Sequence, residues 1–252
     1  MSERVHESVL ATAEKRLLIG VARRLPSWVV PDHLTALGAL GAGVVFAGYL
    51  LSYEGAAWLW LANLGLVVHW FGDSLDGTLA RVRRAERPRY GFFVDQSIDV
   101  AGNLLIMMGL GLSPYVRLDV ALLALTAYHA LTIYSLLWNA VTGRHFVSIA
   151  GLGPTEVRLL LFAQNMALFA FGAQPGFLGL GPFTWCDLFL LSGFVVMALI
   201  FGFSLRADAR TLLTEDTKAA PQRAVVSARS QAAPPGAATM PAAAPQAARS
   251  PE

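Results

Sequence analysis

Charge is what this 252-residue chain has least of. Lys, Arg, Asp and Glu make up 14% of it, hydrophobic residues make up 55%, and the mean hydropathy is +0.53. A soluble domain carries roughly 25% charged residues, so the scarcity excludes that class. The apolar stretches run about 18–22 residues, which is the length of a membrane-crossing helix and too long for a barrel strand. Cysteine is nearly absent as well. The single Cys186 excludes an intramolecular disulfide framework and a cysteine metal site, and it reads as a small apolar filler. The opening MSERVHESVLATAEKR contains acidic residues and no apolar run before Leu17, so it is not expected to act as a cleavable signal peptide. No internal repeat is visible.

What is present organises the chain into three parts. In residues 1–30, Leu10, Ala13, Leu17, Val21 and Leu25 recur at helical spacing beside Glu14, Lys15, Arg16, Arg23 and Arg24. This pattern predicts an amphipathic helix on the membrane surface, and a helix packed against a soluble partner would look the same. Residues 31–206 hold six expected spans, at Leu34–Leu51, Ala57–Ala80, Phe92–Leu112, Leu118–Trp138, Thr155–Ala173 and Trp185–Leu205. Residues 207–252 form a tail that turns to Ala, Pro, Gln and Ser beyond about Asp216. That composition buries too little apolar surface to offset its ordering entropy, so most of the tail is expected to be disordered. The expected class is an all-α integral membrane protein with six transmembrane helices behind a cytoplasmic surface helix. On this topology 18 of the 19 basic residues fall on one side, leaving only Arg117 opposite. The positive-inside rule then puts both termini in the cytoplasm.

Four aspartates stand out against this apolar background. Asp73, Asp76, Asp95 and Asp99 occur within 27 residues, in the second and third spans. Carboxylates at membrane depth cost roughly 2.5–3.5 kcal/mol each on insertion scales and need a compensating partner. At 3.6 residues per turn, Asp73, Asp76, Gly77, Ala80 and Arg81 share one face of one helix, and Gly91, Asp95 and Asp99 share one face of the next. Asp73 and Asp99 both lie about 12 Å from the cytoplasmic ends of their helices, with Asp76 and Asp95 a turn shallower. The spacing therefore aims two pairs of carboxylates at each other. Hard oxygen ligands without His or Cys suit Mg²⁺ or Mn²⁺ better than zinc. Gly77 and Ala80 leave a face without bulk, and Arg81 with its neighbours supplies charge for phosphate. Together these describe a site for a pyrophosphate-bearing substrate. Helix-pairing small residues and a basic loop account for Gly77, Ala80 and the arginines, but not for the acids.

The run Asp73-x₂-Asp76-Gly77-x₂-Ala80-Arg81-x₉-Gly91-x₃-Asp95-x₃-Asp99 resembles the signature of the CDP-alcohol phosphotransferases and fills all eight of its positions. The family is similar in architecture, and the resemblance covers about residues 5–205. It implies that Asp73 and Asp95 bridge two metal ions (Mg²⁺ or Mn²⁺). Asp76 would bind one ion and Asp99 the other, with Asp99 also taking the proton of the attacking alcohol. Gly77, Ala80, Arg81 and Gly91 belong to the part that holds the CDP moiety. Pro31-Asp32-His33-Leu34-Thr35 looks like the family's Pro-Asn-x-x-Thr entry to the first span, which also touches nucleotide, with Asp32 in place of the usual Asn. Gly153-Pro154-Thr155-Glu156 is similar to a segment of the choline and ethanolamine branch. There the glutamate works with a histidine to activate the acceptor, but here Gln96 stands at the histidine's position. Glu156 therefore either acts without that partner or caps the fifth span with Thr155.

Other polar residues at membrane depth (His69, Asn103, His129, Asn139, Gln164 and Asn165) suit interhelical hydrogen bonds better than an acceptor pocket, His129 being the best functional candidate. Arg158 reads as a positive-inside residue before a lipid-phosphate contact. Trp58, Trp60, Trp138 and Trp185 read as interfacial belt. The function implied by the resemblance is metal-dependent transfer of a phospho-alcohol group from a CDP-alcohol to an acceptor alcohol, with release of CMP, in phospholipid synthesis. The donor is CDP-diacylglycerol or a CDP-amino alcohol, and the setting is a bacterial inner membrane. A homodimer is implied, and no nucleic-acid partner is expected. A divalent-cation transporter and a non-catalytic lipid-binding protein are the alternatives.

Overall fold

A computed structural model of the chain describes residues 9–143, 153–176, 179 and 181–232, with side chains from residue 14 to residue 218 of these. Among the described residues every regular element is helical. They are α1 (Val9–Ala22), α2 (Pro31–Leu51), a short 3₁₀ turn (Ala56–Trp58), α3 (Leu59–Val82), α4 (Pro88–Gly111), α5 (Leu118–Thr142), α6 (Pro154–Phe171) and α7 (Trp185–Ala232). Proline occupies the first helical position of α2, α4 and α6, where its missing N–H costs nothing and its fixed φ starts the helix. Between α3 and α4 the chain turns back in five residues, with Arg84 in the left-handed region at φ 53°.

The expected class is borne out: this is an all-α, multi-pass membrane protein. Four helices are long and apolar enough to cross a membrane, at Pro31–Leu51, Pro88–Gly111, Leu118–Thr142 and Trp185–Lys218. The other two expected spans, α3 and α6, are not among them, because both carry polar and charged residues. In α3 these include Asn63, His69 and Asp76, and in α6 Arg158, Gln164 and Asn165. All six are buried. The polarity that lowers the hydropathy of α3 and α6 is thus turned into the bundle, away from lipid.

The chain separates into two compact units, residues 1–202 and 203–252. In the first, α2 and α3 pack along a seam of small residues. A Cβ on Gly41 would run into the backbone of His69, and one on Gly72 into the backbone of Gly38. Such close approach is the common way that membrane helices associate. Both α3 and α4 pack on α2, and little of α3 touches α4, so the hairpin opens into a cleft with α2 behind it. Deeper in the bundle, the Tyr49 hydroxyl donates to Asn165 Oδ1 (3.0 Å), and Asn165 Nδ2 donates to Asn63 Oδ1 (2.9 Å). For Asn165 the interhelical reading therefore holds.

The helix α1 is anchored to its own chain. Leu18 and Ala22 of α1 are buried with Val29, Leu34, Leu75 and Leu79, whereas Leu17 is exposed. Glu14 accepts a hydrogen bond from Trp70 Nε1 (2.8 Å). Arg83 donates to the carbonyls of Leu25 (3.0 Å), Pro26 (2.8 Å) and Val29, clamping the α1–α2 connection. One arginine of the basic turn is thus a structural tie.

In the second unit the helix of α7 continues to Ala232, past Asp216, where composition predicts an unstructured tail. The stretch is rich in Ala, Arg and Gln, all strong helix formers, and it stays helical across Pro221. The rest of the expected tail, with Arg249, and also Arg4 and Arg144, lie outside the described residues.

Candidate functional site

The open side of the α3–α4 hairpin is a cavity of about 520 Å³. Ten of the eleven candidate residues line it: Asp73, Asp76, Gly77, Ala80 and Arg81 from α3, Gly91, Asp95 and Asp99 from α4, and Asp32 and Thr35 from the start of α2. The helical faces inferred from i, i+4 and i+8 spacing do converge, because α3 and α4 splay around α2 with those faces turned to the gap.

Three of the four carboxylates gather around one point. Asp73, Asp95 and Asp99 each offer an oxygen, and these three atoms lie within 4.8 Å of one another, close enough to share one ion. Asp76 lines the same cavity and is held by hydrogen bonds. Its Oδ2 accepts from the Thr35 hydroxyl (2.6 Å), and its Oδ1 accepts from the N–H of Gly77. The site is three acids plus one, and Thr35, 41 residues away in sequence, fixes the fourth. Gln96, at the position where the choline and ethanolamine branch has a histidine, donates to Asp95 Oδ2 (3.3 Å) and steadies that carboxylate.

The arginines divide by task. Arg81 donates to Thr78 Oγ1 (3.2 Å), and its guanidinium lies over Gly77, where an added Cβ would meet Nη1 at 3.4 Å. Arg87 pairs with Asp32 and stacks on Tyr90, 4.4 Å from the ring centroid, at the rim of the cavity. An added Cβ on Gly91 would meet nothing within 4 Å, so that wall is open.

Glu156 is the candidate that does not reach the cavity. Its Oε2 accepts from the N–H of Gly153 (3.0 Å), which satisfies an orphan donor at the start of α6. Its neighbour Pro154 lines the cavity instead. Of the two readings open for Glu156, the geometry shows the helix cap.

Two residues that the sequence left as structural stand in the site. Arg158, 8% exposed, reaches from α6 to place Nη2 2.7 Å from Asp73 Oδ2 and 3.8 Å from Asp99 Oδ1. The same nitrogen is 3.3 Å from His69 Nε2. A signal existed for both. His69 and Asp73 are four apart, hence on one face of α3, and an arginine within an expected membrane span needs an acidic partner.

Hard oxygens gathered so closely suit an ion such as Mg²⁺ or Mn²⁺, so the residues fit a divalent metal. A family model described as CDP-alcohol phosphatidyltransferase matches residues 28–205, the bundle and every residue of the cavity described above. The chain belongs to that family. It is a family of enzymes that transfer substituted phosphate groups. Among its relatives, the chain is similar to the phosphatidylinositol phosphate synthase of Cutibacterium acnes, 33% identical over 88 residues, which is 35% of this chain and 40% of that protein. It is also similar to the archaetidylinositol phosphate synthase of Pyrococcus horikoshii, 34% identical over 138 residues, which is 55% of this chain and 70% of that protein.

Proposed function

We propose that this protein transfers a phospho-alcohol group from a CDP-linked lipid alcohol to an acceptor alcohol and releases CMP, in phospholipid synthesis. The observation that carries the reading is the gathering of Asp73, Asp95 and Asp99 in a cavity that also holds Asp76, Gly77, Arg81 and Gly91 of the family signature. Two divalent ions, Mg²⁺ or Mn²⁺, would be held by Asp73, Asp76, Asp95 and Asp99. Bound there, they would supply positive charge against the pyrophosphate and the departing CMP.

The chain's own groups account for the rest. Arg81, over the bare surface of Gly77, meets the phosphates, and the open wall at Ala80 and Gly91 admits the CDP moiety. The acceptor hydroxyl attacks the phosphorus that carries the lipid alcohol. The bond from that phosphorus to the bridging oxygen breaks, and CMP leaves with the electron pair. Asp99 is the general base that takes the hydroxyl proton. Thr35 holds Asp76, and Glu156 keeps the start of α6, and with it Arg158, in register. We place the cavity and both termini on the cytoplasmic side of a bacterial inner membrane, so that a nucleotide enters from water while a lipid tail slides between helices. The homodimer implied by the family resemblance is part of the same proposal.

Both relatives are named as synthases of inositol phosphate lipids, which favours CDP-diacylglycerol or a similar CDP-lipid as donor and a phosphorylated polyol as acceptor. A cation transporter would need an acidic path across the bundle, yet Asp187 is consumed by hydrogen bonds and Asp119 pairs with Arg117 (2.7 Å). The test is to incubate purified protein in nanodiscs with CDP-diacylglycerol or CDP-amino alcohols against inositol phosphate, inositol, glycerol phosphate or diacylglycerol, and to follow CMP and lipid product. CMP release that needs Mg²⁺ or Mn²⁺ and both substrates is expected. Full release without a divalent ion, or none from any pair, would contradict the reading.

A further inference from the structure

We propose that Arg158 competes with the divalent ion for the acidic triad, and that His69 is the acceptor that receives the guanidinium when the ion takes the carboxylates. The inference rests on the metal-binding reading of the triad. Arg158 Nη2 sits 2.7 Å from Asp73 Oδ2 and 3.8 Å from Asp99 Oδ1, and these residues supply two of the three oxygens that lie within 4.8 Å of one another. An oxygen lone pair aimed at a guanidinium N–H is not available to a cation. A positive charge about 4 Å from the ion's place also opposes it by several times thermal energy, even at an effective dielectric near 20. Arginine cannot relieve this by losing its proton.

The geometry around His69 fixes what happens to the displaced donor. The glycine seam between α2 and α3 brings the carbonyl of Gly38 to 2.9 Å from His69 Nδ1. A carbonyl oxygen only accepts, so Nδ1 carries the hydrogen and the neutral ring presents a lone pair at Nε2. That lone pair faces Arg158 Nη2 at 3.3 Å. Arg158 therefore has two sets of partners, the carboxylates and a neutral imidazole, and only the second remains once the carboxylates hold an ion. A buried guanidinium left with neither would carry an unsatisfied donor, which is costly.

The two residues then act on metal affinity with opposite signs. Removing the competitor strengthens ion binding. Removing His69 weakens it, because the displaced guanidinium loses its acceptor while the competing contact to Asp73 remains. A residue that merely supports the fold would not produce opposite signs.

The experiment is Mn²⁺ titration by electron paramagnetic resonance on full-length protein in nanodiscs, with Asp73→Asn as reference. Arg158→Gln is expected to bind Mn²⁺ at least about tenfold more tightly than the parent. His69→Leu is expected to bind a few-fold more weakly, and His69→Gln, whose side-chain carbonyl can accept from Arg158, to return close to the parent. Unchanged or weaker binding by Arg158→Gln, with binding still lost in Asp73→Asn, overturns the competition and leaves the metal site standing. If Arg158→Gln does not fold, the His69→Leu and His69→Gln pair decides alone: equal affinities overturn the proposal. No Mn²⁺ binding by any form overturns both this inference and the metal reading.

Discussion

The bundle holds one fully buried carboxylate and a half-buried group of three, and they could hardly be treated more differently. Asp187, fully buried at the start of α7, accepts from the backbone N–H of Thr184 (2.8 Å), the Thr184 hydroxyl (3.0 Å) and the backbone N–H of Arg117 (2.9 Å). Asp73, Asp95 and Asp99 crowd against one another, with Arg158 between two of them and Gln96 beside the third. Asp187 is a finished structural joint that ties α7 to the α4–α5 connection. The triad has spare acceptor capacity and like-charge repulsion, which a structural role does not explain and a divalent ion would relieve. Burial alone does not mark a functional acid. Unspent hydrogen-bonding capacity beside other acids does.

The comparison can be broken by substitution, and the largest effect belongs to the triad. Asp99→Asn should lower metal-dependent CMP release by about 10³-fold, with the melting temperature unchanged or raised because a repelling charge is gone. An activity assay beside a thermal melt reads both quantities. Asp187→Ala should do the reverse, costing about 1–3 kcal/mol of stability while Mn²⁺ affinity at the triad stays at the parent value. Gly72→Ala tests the framework between the two sites. Its Cβ would meet the backbone of Gly38, so a loss of about 1–3 kcal/mol is expected. CMP release should fall with it, since Asp73 is the next residue along α3. Glu156→Gln should have the smallest effect, because the amide oxygen can still accept from the Gly153 N–H. CMP release within about twofold of the parent is expected, whereas a catalytic glutamate would lose about 10²-fold or more.

Much of the site was legible in the sequence, because its parts lie on two consecutive helices joined by a short turn. There, helical period alone sets which residues share a face, and the four aspartates, Gly77, Arg81 and Gly91 could be placed before any coordinates. The pairing of the acids was not legible. It depends on how far α3 and α4 splay around α2, and on the hydrogen bond by which Thr35 holds Asp76. Arg158 and His69 were missed for a related reason. Their contact joins α3 to α6 across 89 residues, and the rotation of α6 about its axis has no local signature. Asp32 departs from the family's Asn, and its ion pair with Arg87 likewise required the fold. The helix of α7 runs on to Ala232, and residues that cannot build a core can still hold a helix there.

The most direct test is anomalous X-ray scattering from crystals of the protein soaked in Mn²⁺. A manganese peak about 2.2 Å from carboxylate oxygens of Asp73, Asp95 and Asp99 is predicted. Crystals with that cluster ordered and free of manganese at saturating concentration, or with the ion bound away from these oxygens, would contradict the account.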